Sequence, residues 1–189
     1  MKKILTLLVV ILGIFISCSN EKTDSSAKEG SKKILVVYFS ATGNTKRIAQ
    51  IIASDRNADI FEIVPESPYT TEDLNSKNPD SKVAKEKADK SIRPKIKNSV
   101  ENFSQYDVVF LGYPIWWGEA PRIMNTFVES NDFNGKTVIP FVTSGNSEIG
   151  TSPNPLKEKT KGAAWKEGKR FSASSSEADV KKWIKELGL

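Results

Sequence analysis

Histidine is absent from this chain of 189 residues, and cysteine occurs once, as Cys18. Without imidazole there can be no Ser-His or Cys-His nucleophile, and a lone thiol removes nearly every zinc site as well. Any catalysis must then be carried by a bound cofactor. Tyrosine is scarce, with four copies and none beyond Tyr113. Arginine–aromatic clusters are missing too: the lysines are interspersed with acids, and the net charge is only +5 with 27% of residues charged. That pattern argues against a nucleic-acid surface. The length suffices for one well-cored domain and is short for two.

The one long apolar run is at the start. Met1-Lys2-Lys3 followed by Ile4–Ile16 has the charged head and short hydrophobic core of a secretory signal, and it is too short for a comfortable membrane span. Cys18 comes directly after it in Phe15-Ile16-Ser17-Cys18, which resembles the bacterial lipoprotein box, although Phe15 stands where a smaller aliphatic is usual. The resemblance implies removal of residues 1–17 as a signal peptide and a lipid thioether (palmitate-bearing) on Cys18. The mature protein would then sit at the extracytoplasmic face of the cell membrane, held there through the lipid. An uncleaved anchor and an ordinary signal with an incidental cysteine are the alternatives. Asn20–Lys32 contains no apolar residue larger than Ala27 and reads as a tether, so the predicted division is 1–17, 18–32 and a domain over 33–189.

The domain opens with its most informative stretch, Lys33–Ile52. An apolar run from Ile34 to Phe39 predicts a buried strand, and Ile48, Ile51 and Ile52 follow at the spacing of one helix face. Between them lies Ser40-Ala41-Thr42-Gly43-Asn44-Thr45, with three hydroxyls, one amide and a permissive glycine. Free N–H groups and the positive dipole end at a helix start favour an anion, and short hydroxyls can donate to its oxygens. Neither GxxxxGK[ST] nor GxGxxG is present, so a terminal monophosphate fits better than a triphosphate or a dinucleotide. An N-capped helix after a strand is the plain alternative.

Further on, Asp59–Val64 predicts a second strand, closed by Pro65 and Pro68, with Tyr69 beyond the turn. Thr70–Lys97 is polar and lysine-rich, with a helix expected over Asp80–Lys90 and no evident chemistry. Tyr106–Tyr113 reads as the central strand, followed by Pro114-Ile115-Trp116-Trp117-Gly118-Glu119-Ala120-Pro121 and a helix whose inward face is Met124, Phe127 and Val128. Two indoles in a loop at a strand's carboxyl end suit stacking on a flat ligand, or else plug the core. Thr137–Val142 is a fourth strand, and Thr143-Ser144-Gly145-Asn146-Ser147-Glu148-Ile149-Gly150 a third polar loop. A short helix fits within Thr151–Gly162, a short fifth strand at Lys169–Phe171, and an amphipathic helix over Glu177–Leu187.

The first strand, Ser40, Gly43, Thr45 and the small Ala49 together resemble the N-terminal signature of the flavodoxin family, and the tryptophan loop resembles that family's flavin-lining loop. The resemblance covers residues 33–189 and implies an α/β, flavodoxin-like three-layer sandwich with a five-stranded parallel sheet, order 2-1-3-4-5. It implies FMN as cofactor. Ser40, Thr42, Gly43, Asn44 and Thr45 would hold the phosphate, Pro114, Ile115, Trp116, Trp117 and Gly118 would border the ring, and Thr143, Ser144 and Gly145 would address its polar edge. The expected function is electron transfer with a redox partner protein or a small-molecule acceptor. Two alternatives remain open: an NAD(P)H-dependent quinone reductase, and a cofactor-free binding lipoprotein on the same scaffold.

Overall fold

The computed structural model describes residues 32–189, so the predicted signal peptide, Cys18 and nearly all of the tether lie outside the described residues. The sheet is built from β1 (Ile34–Tyr38), β2 (Asp59–Glu62), β3 (Val108–Pro114), β4 (Thr137–Thr143), β5 (Ala164–Trp165) and β6 (Lys169–Phe171). Its order is β2-β1-β3-β4-β5, with β6 also on β4, and every pairing is parallel. Among the described residues five α-helices follow strands, with none between β5 and β6: α1 (Asn44–Arg56), α2 (Lys82–Ala88), α3 (Arg122–Glu129), α4 (Asn154–Lys157) and α5 (Glu177–Glu186). Among the described residues no helix is long and apolar enough to cross a membrane.

The continuous apolar runs are explained by burial on both faces of the sheet. Leu35, Val37, Val109, Leu111, Val138 and Val142 face the layer of α3, where Ile123, Met124 and Phe127 meet them. Their sequence neighbours Val36, Val108, Phe110, Ile139 and Phe141 face α1 and α5, against Ile48, Ile52, Val180 and Ile184. The period of two along each strand thus supplies two cores from one sheet.

Two local features shape the central strands. A side chain at Gly112 would put its Cβ 2.1 Å from the ring of Phe141, so the ring of β4 lies across the backbone of β3. Pro140 breaks the sheet's far edge. Val138 accepts from Lys166 N–H at 2.9 Å, so by the alternation of a parallel strand the nitrogen of Pro140, two residues on, faces the same edge without a proton to donate. The edge strand is therefore split into β5 and β6, with Gly168 passing so close to Pro140 that a Cβ there would lie 2.3 Å from its carbonyl oxygen. The predicted fifth strand at Lys169–Phe171 is β6; the two-residue β5 before it was not expected.

Candidate functional site

Because all strands run the same way, the segments that follow β1, β3 and β4 emerge at one edge of the sheet. The first is closed by Gly43, which takes φ 87° at the N-cap of α1 and donates its N–H to Ser40 Oγ at 3.1 Å. Among the described residues nothing accepts from the N–H groups of Asn44, Thr45 and Lys46, the open end of α1. The two cations of its first turns are engaged elsewhere: Lys46 with Glu62 at 3.1 Å, Arg47 with the Ala173 carbonyl at 3.1 Å. An anion here would be met by backbone dipoles and hydroxyls, not by a lysine. Thr45 is 1% exposed, and its Oγ1 lies 2.7 Å from Thr143 Oγ1, joining the first loop to the end of β4.

After β3 the chain forms a tight hairpin. Trp116 and Glu119 exchange both backbone hydrogen bonds, at 2.9 and 3.0 Å, around Trp117 at φ 50° and Gly118 at φ 80°. Two positive φ values in a two-residue loop define a type I′ turn, whose first position suits Asn or Gly and not an indole. Trp117 is nonetheless held there with 40% of its surface exposed. Trp116 is half-buried and fixed by its neighbours, with its ring 5.8 Å from Phe39 and 5.4 Å from Tyr69.

Two cavities adjoin across Pro114–Trp116. One, of about 340 Å³, lies between the first loop (Ala41, Thr42, Thr45) and the two tryptophans. The other, of about 260 Å³, runs from Thr42 and Asn44 to Thr143, Ser144 and Gly145. Thr42, Pro114, Ile115 and Trp116 line both, so the three predicted loops converge on one site. Gly43 and Gly118 shape their turns without lining either cavity. Ser40 lines neither cavity and serves the turn by accepting from Gly43, whereas Ser144 lines the smaller cavity while its hydroxyl donates to the Ser147 carbonyl and accepts from Arg170 at 3.2 Å. Arg170 also donates to the carbonyls of Ser144 and Gly145, clamping this third loop from outside.

Several contributors carried no sequence signal. Leu74, Ser76 and Val83 close the larger cavity from the polar segment after β2, and Ala173 borders the smaller. Behind the hairpin, buried Arg122 bonds Glu119 at 2.5 Å and the Glu86 carbonyl at 3.0 Å, while Tyr69 donates to the Glu86 carboxyl at 2.6 Å. Burial raises the Glu86 pKa against the lowering by Tyr69 and Arg122, whereas Lys90 and then Arg122 lower that of Glu119. A signal did exist for Arg122: a cation in the first turn of a helix opposes the dipole and needs a partner.

The sequence also matches known proteins. The family model described as flavodoxin aligns with residues 33–187. The chain belongs to the flavodoxin family. Within that fold, it is similar to a protein assigned as a flavoprotein from Bacteroides eggerthii DSM 20697, with 45% identity, 84% of this chain and 99% of that chain covered, and a TM-score of 0.78. A counterpart from Bacteroides uniformis ATCC 8492 gives 42% identity, 82% and 98% coverage, and the same TM-score of 0.78. A flavoprotein from Lactobacillus acidophilus NCFM, crystallised in complex with FMN, shares the flavodoxin fold at 21% identity, 82% and 99% coverage and a TM-score of 0.62. No curated protein matches the chain.

Proposed function

We propose that this flavodoxin-family protein binds FMN at the joined cavities and exchanges electrons with a redox partner. The observation that carries the electron-transfer reading is the character of the lining. Among the described residues, no side chain lining either cavity titrates in the ordinary pH range, so the site offers hydroxyls, amides, indoles and backbone but no acid or base. Such a lining suits holding a cofactor more than moving protons onto a substrate. FMN ends in the single phosphate for which the first loop is shaped, and it is the flavin bound by the Lactobacillus acidophilus protein of the same fold. When bound, the flavin supplies reversible electron transfer.

The roles follow from position. The open N–H groups of Asn44, Thr45 and Lys46, with the hydroxyls of Thr42 and Thr45, receive the phosphate. Trp116, backed by Phe39 and Tyr69, and Trp117 at the rim flank the ring system. The third loop, clamped by Arg170, meets the polar edge. Residues 19–189 should purify yellow or take up added FMN, with visible flavin absorption. A colourless protein that binds no FMN would sink the assignment and favour the cofactor-free scaffold. Bleaching by NAD(P)H alone would instead establish the reductase reading.

The membrane location is a proposal from sequence only. A sole cysteine directly after a signal-like run supports a lipid anchor at Cys18. Radiolabelled palmitate should be incorporated by the wild type and not by Cys18→Ser; equal labelling of both rules the anchor out.

A further inference from the structure

The Trp116–Glu119 hairpin has a second side. There the two indoles wall a separate cavity of about 220 Å³, together with Glu86, Lys87, Lys90, Glu119 and Arg122. It shares only Trp116 and Trp117 with the proposed flavin cavities.

The charges around it are unequally satisfied. Glu119 is occupied on both oxygens, by Lys90 at 2.7 Å and Arg122 at 2.5 Å. Glu86 receives the Tyr69 hydroxyl on one oxygen and the Arg122 backbone N–H, at 3.3 Å, on the other. The cations retain donors. Arg122, 6% exposed, uses Nε on the Glu86 carbonyl and Nη2 on Glu119, and among the described residues nothing accepts from Nη1. Lys87 holds its ammonium 5.2 Å from the centre of the Trp117 ring and, among the described residues, pairs with no carboxylate.

A fixed guanidinium with an unspent nitrogen, two lysines at the mouth and an indole wall make a receptor for a flat anion. The volume of about 220 Å³ limits its size: a 150 Å³ cavity can hold benzene, and drug-sized ligands need about 300 Å³ or more. We infer that this cavity is a second ligand site, for an aromatic carboxylate of about one ring. The carboxylate accepts from Arg122 Nη1 and the lysines, and the ring lies against Trp117.

Benzoate and its neutral isostere benzamide separate charge recognition from apolar filling. Each is titrated into the full chain in detergent micelles at low ionic strength, without flavin, and followed by the indole N–H resonances. Benzoate should bind at least about tenfold more tightly than benzamide, the scale of one charge-assisted hydrogen bond. The exposed double substitution Lys87→Gln/Lys90→Gln should bring the two ligands close to parity. FMN affinity, measured separately, should be unchanged in that variant, which distinguishes this site from the cofactor site; the comparison of benzoate with benzamide is made without flavin and stands whether or not FMN binds. Equal binding of the two probes by the wild type, or undiminished benzoate binding by the variant, overturns the inference. Competitive displacement of benzoate by FMN overturns it as well, since both would then occupy one cavity.

Discussion

At Trp117 a single residue sets folding preference against ligand geometry. An L-residue in the left-handed region costs roughly 1–2 kcal/mol, and the indole, 40% exposed, offsets part of that through the covered remainder of its surface. Asparagine tolerates the conformation, and Asn-Gly is the preferred type I′ pair. Trp117→Asn should therefore stay within about 1 kcal/mol of the wild type in urea unfolding of the flavin-free protein, because relief of backbone strain offsets the lost indole contacts. Its FMN affinity should fall by about tenfold through lost stacking. A larger loss of stability with intact affinity would make Trp117 a packing residue. Thr45 behaves differently, since its hydroxyl is buried against Thr143 at 2.7 Å. Thr45→Val strands that partner and removes a donor to the phosphate, so stability should drop by about 1–3 kcal/mol and FMN affinity should weaken in the same variant.

Among the elements, the β3–β4 pair is the most constrained, because the Phe141 ring fills the space that Gly112 leaves. Gly112→Ala cannot be absorbed by a flexible tip, since the nearest atoms belong to a fully buried ring. A loss of about 1–3 kcal/mol is expected in chemical denaturation, the usual cost of overpacking. Phe141→Leu in the same chain should recover part of it, a non-additivity that independent sites would not show. These two strands were also the most legible in the sequence, because unbroken apolar runs leave few alternatives to a strand buried on both faces. Loops at a strand's carboxyl end were equally plain, as Gly43 and the paired tryptophans announce themselves by type. Less legible was whatever depends on pairing across the fold. The gap between β5 and β6 follows from Pro140, but only once β4 is known to be their partner. Leu74, Ser76 and Val83 reach the cavity from a polar segment with no periodicity, where α2 (Lys82–Ala88) proves shorter than the expected Asp80–Lys90. Arg122 could be suspected from its place in a first turn, with Glu119 three residues before it as the ion-pair partner, yet the Glu86 carbonyl that takes its Nε lies 36 residues away.

On the scale of the whole molecule, the long segment between β2 and β3 packs Ile63, Phe103 and Tyr106 into the core and is fastened by polar ties as well. Lys97 N–H bonds the Val64 carbonyl at 2.8 Å, Thr126 donates to the Pro94 carbonyl at 2.9 Å, and Arg93 grips Glu129 through two nitrogens at 2.7 and 3.0 Å. Lys159 reaches the same carboxylate at 2.8 Å, so Glu129 on α3 gathers the segment and the chain beyond α4 at one point. Chiefly through the Arg93 hydrogen bonds, with a smaller contribution from Lys159, its pKa is lowered from 4.5 to about 2. A carboxyl depressed in the folded state stabilises it above the unfolded value, and that contribution disappears as pH falls through the folded one. The side chain is 36% exposed, so solvent screening keeps the gain modest. Glu129→Gln should be less stable than the wild type at neutral pH, and the difference should shrink between about pH 4.5 and about pH 2. Urea unfolding across that window measures it: converging curves support Glu129 as the tie between segment and core, while curves that stay parallel place the acid sensitivity in other carboxylates.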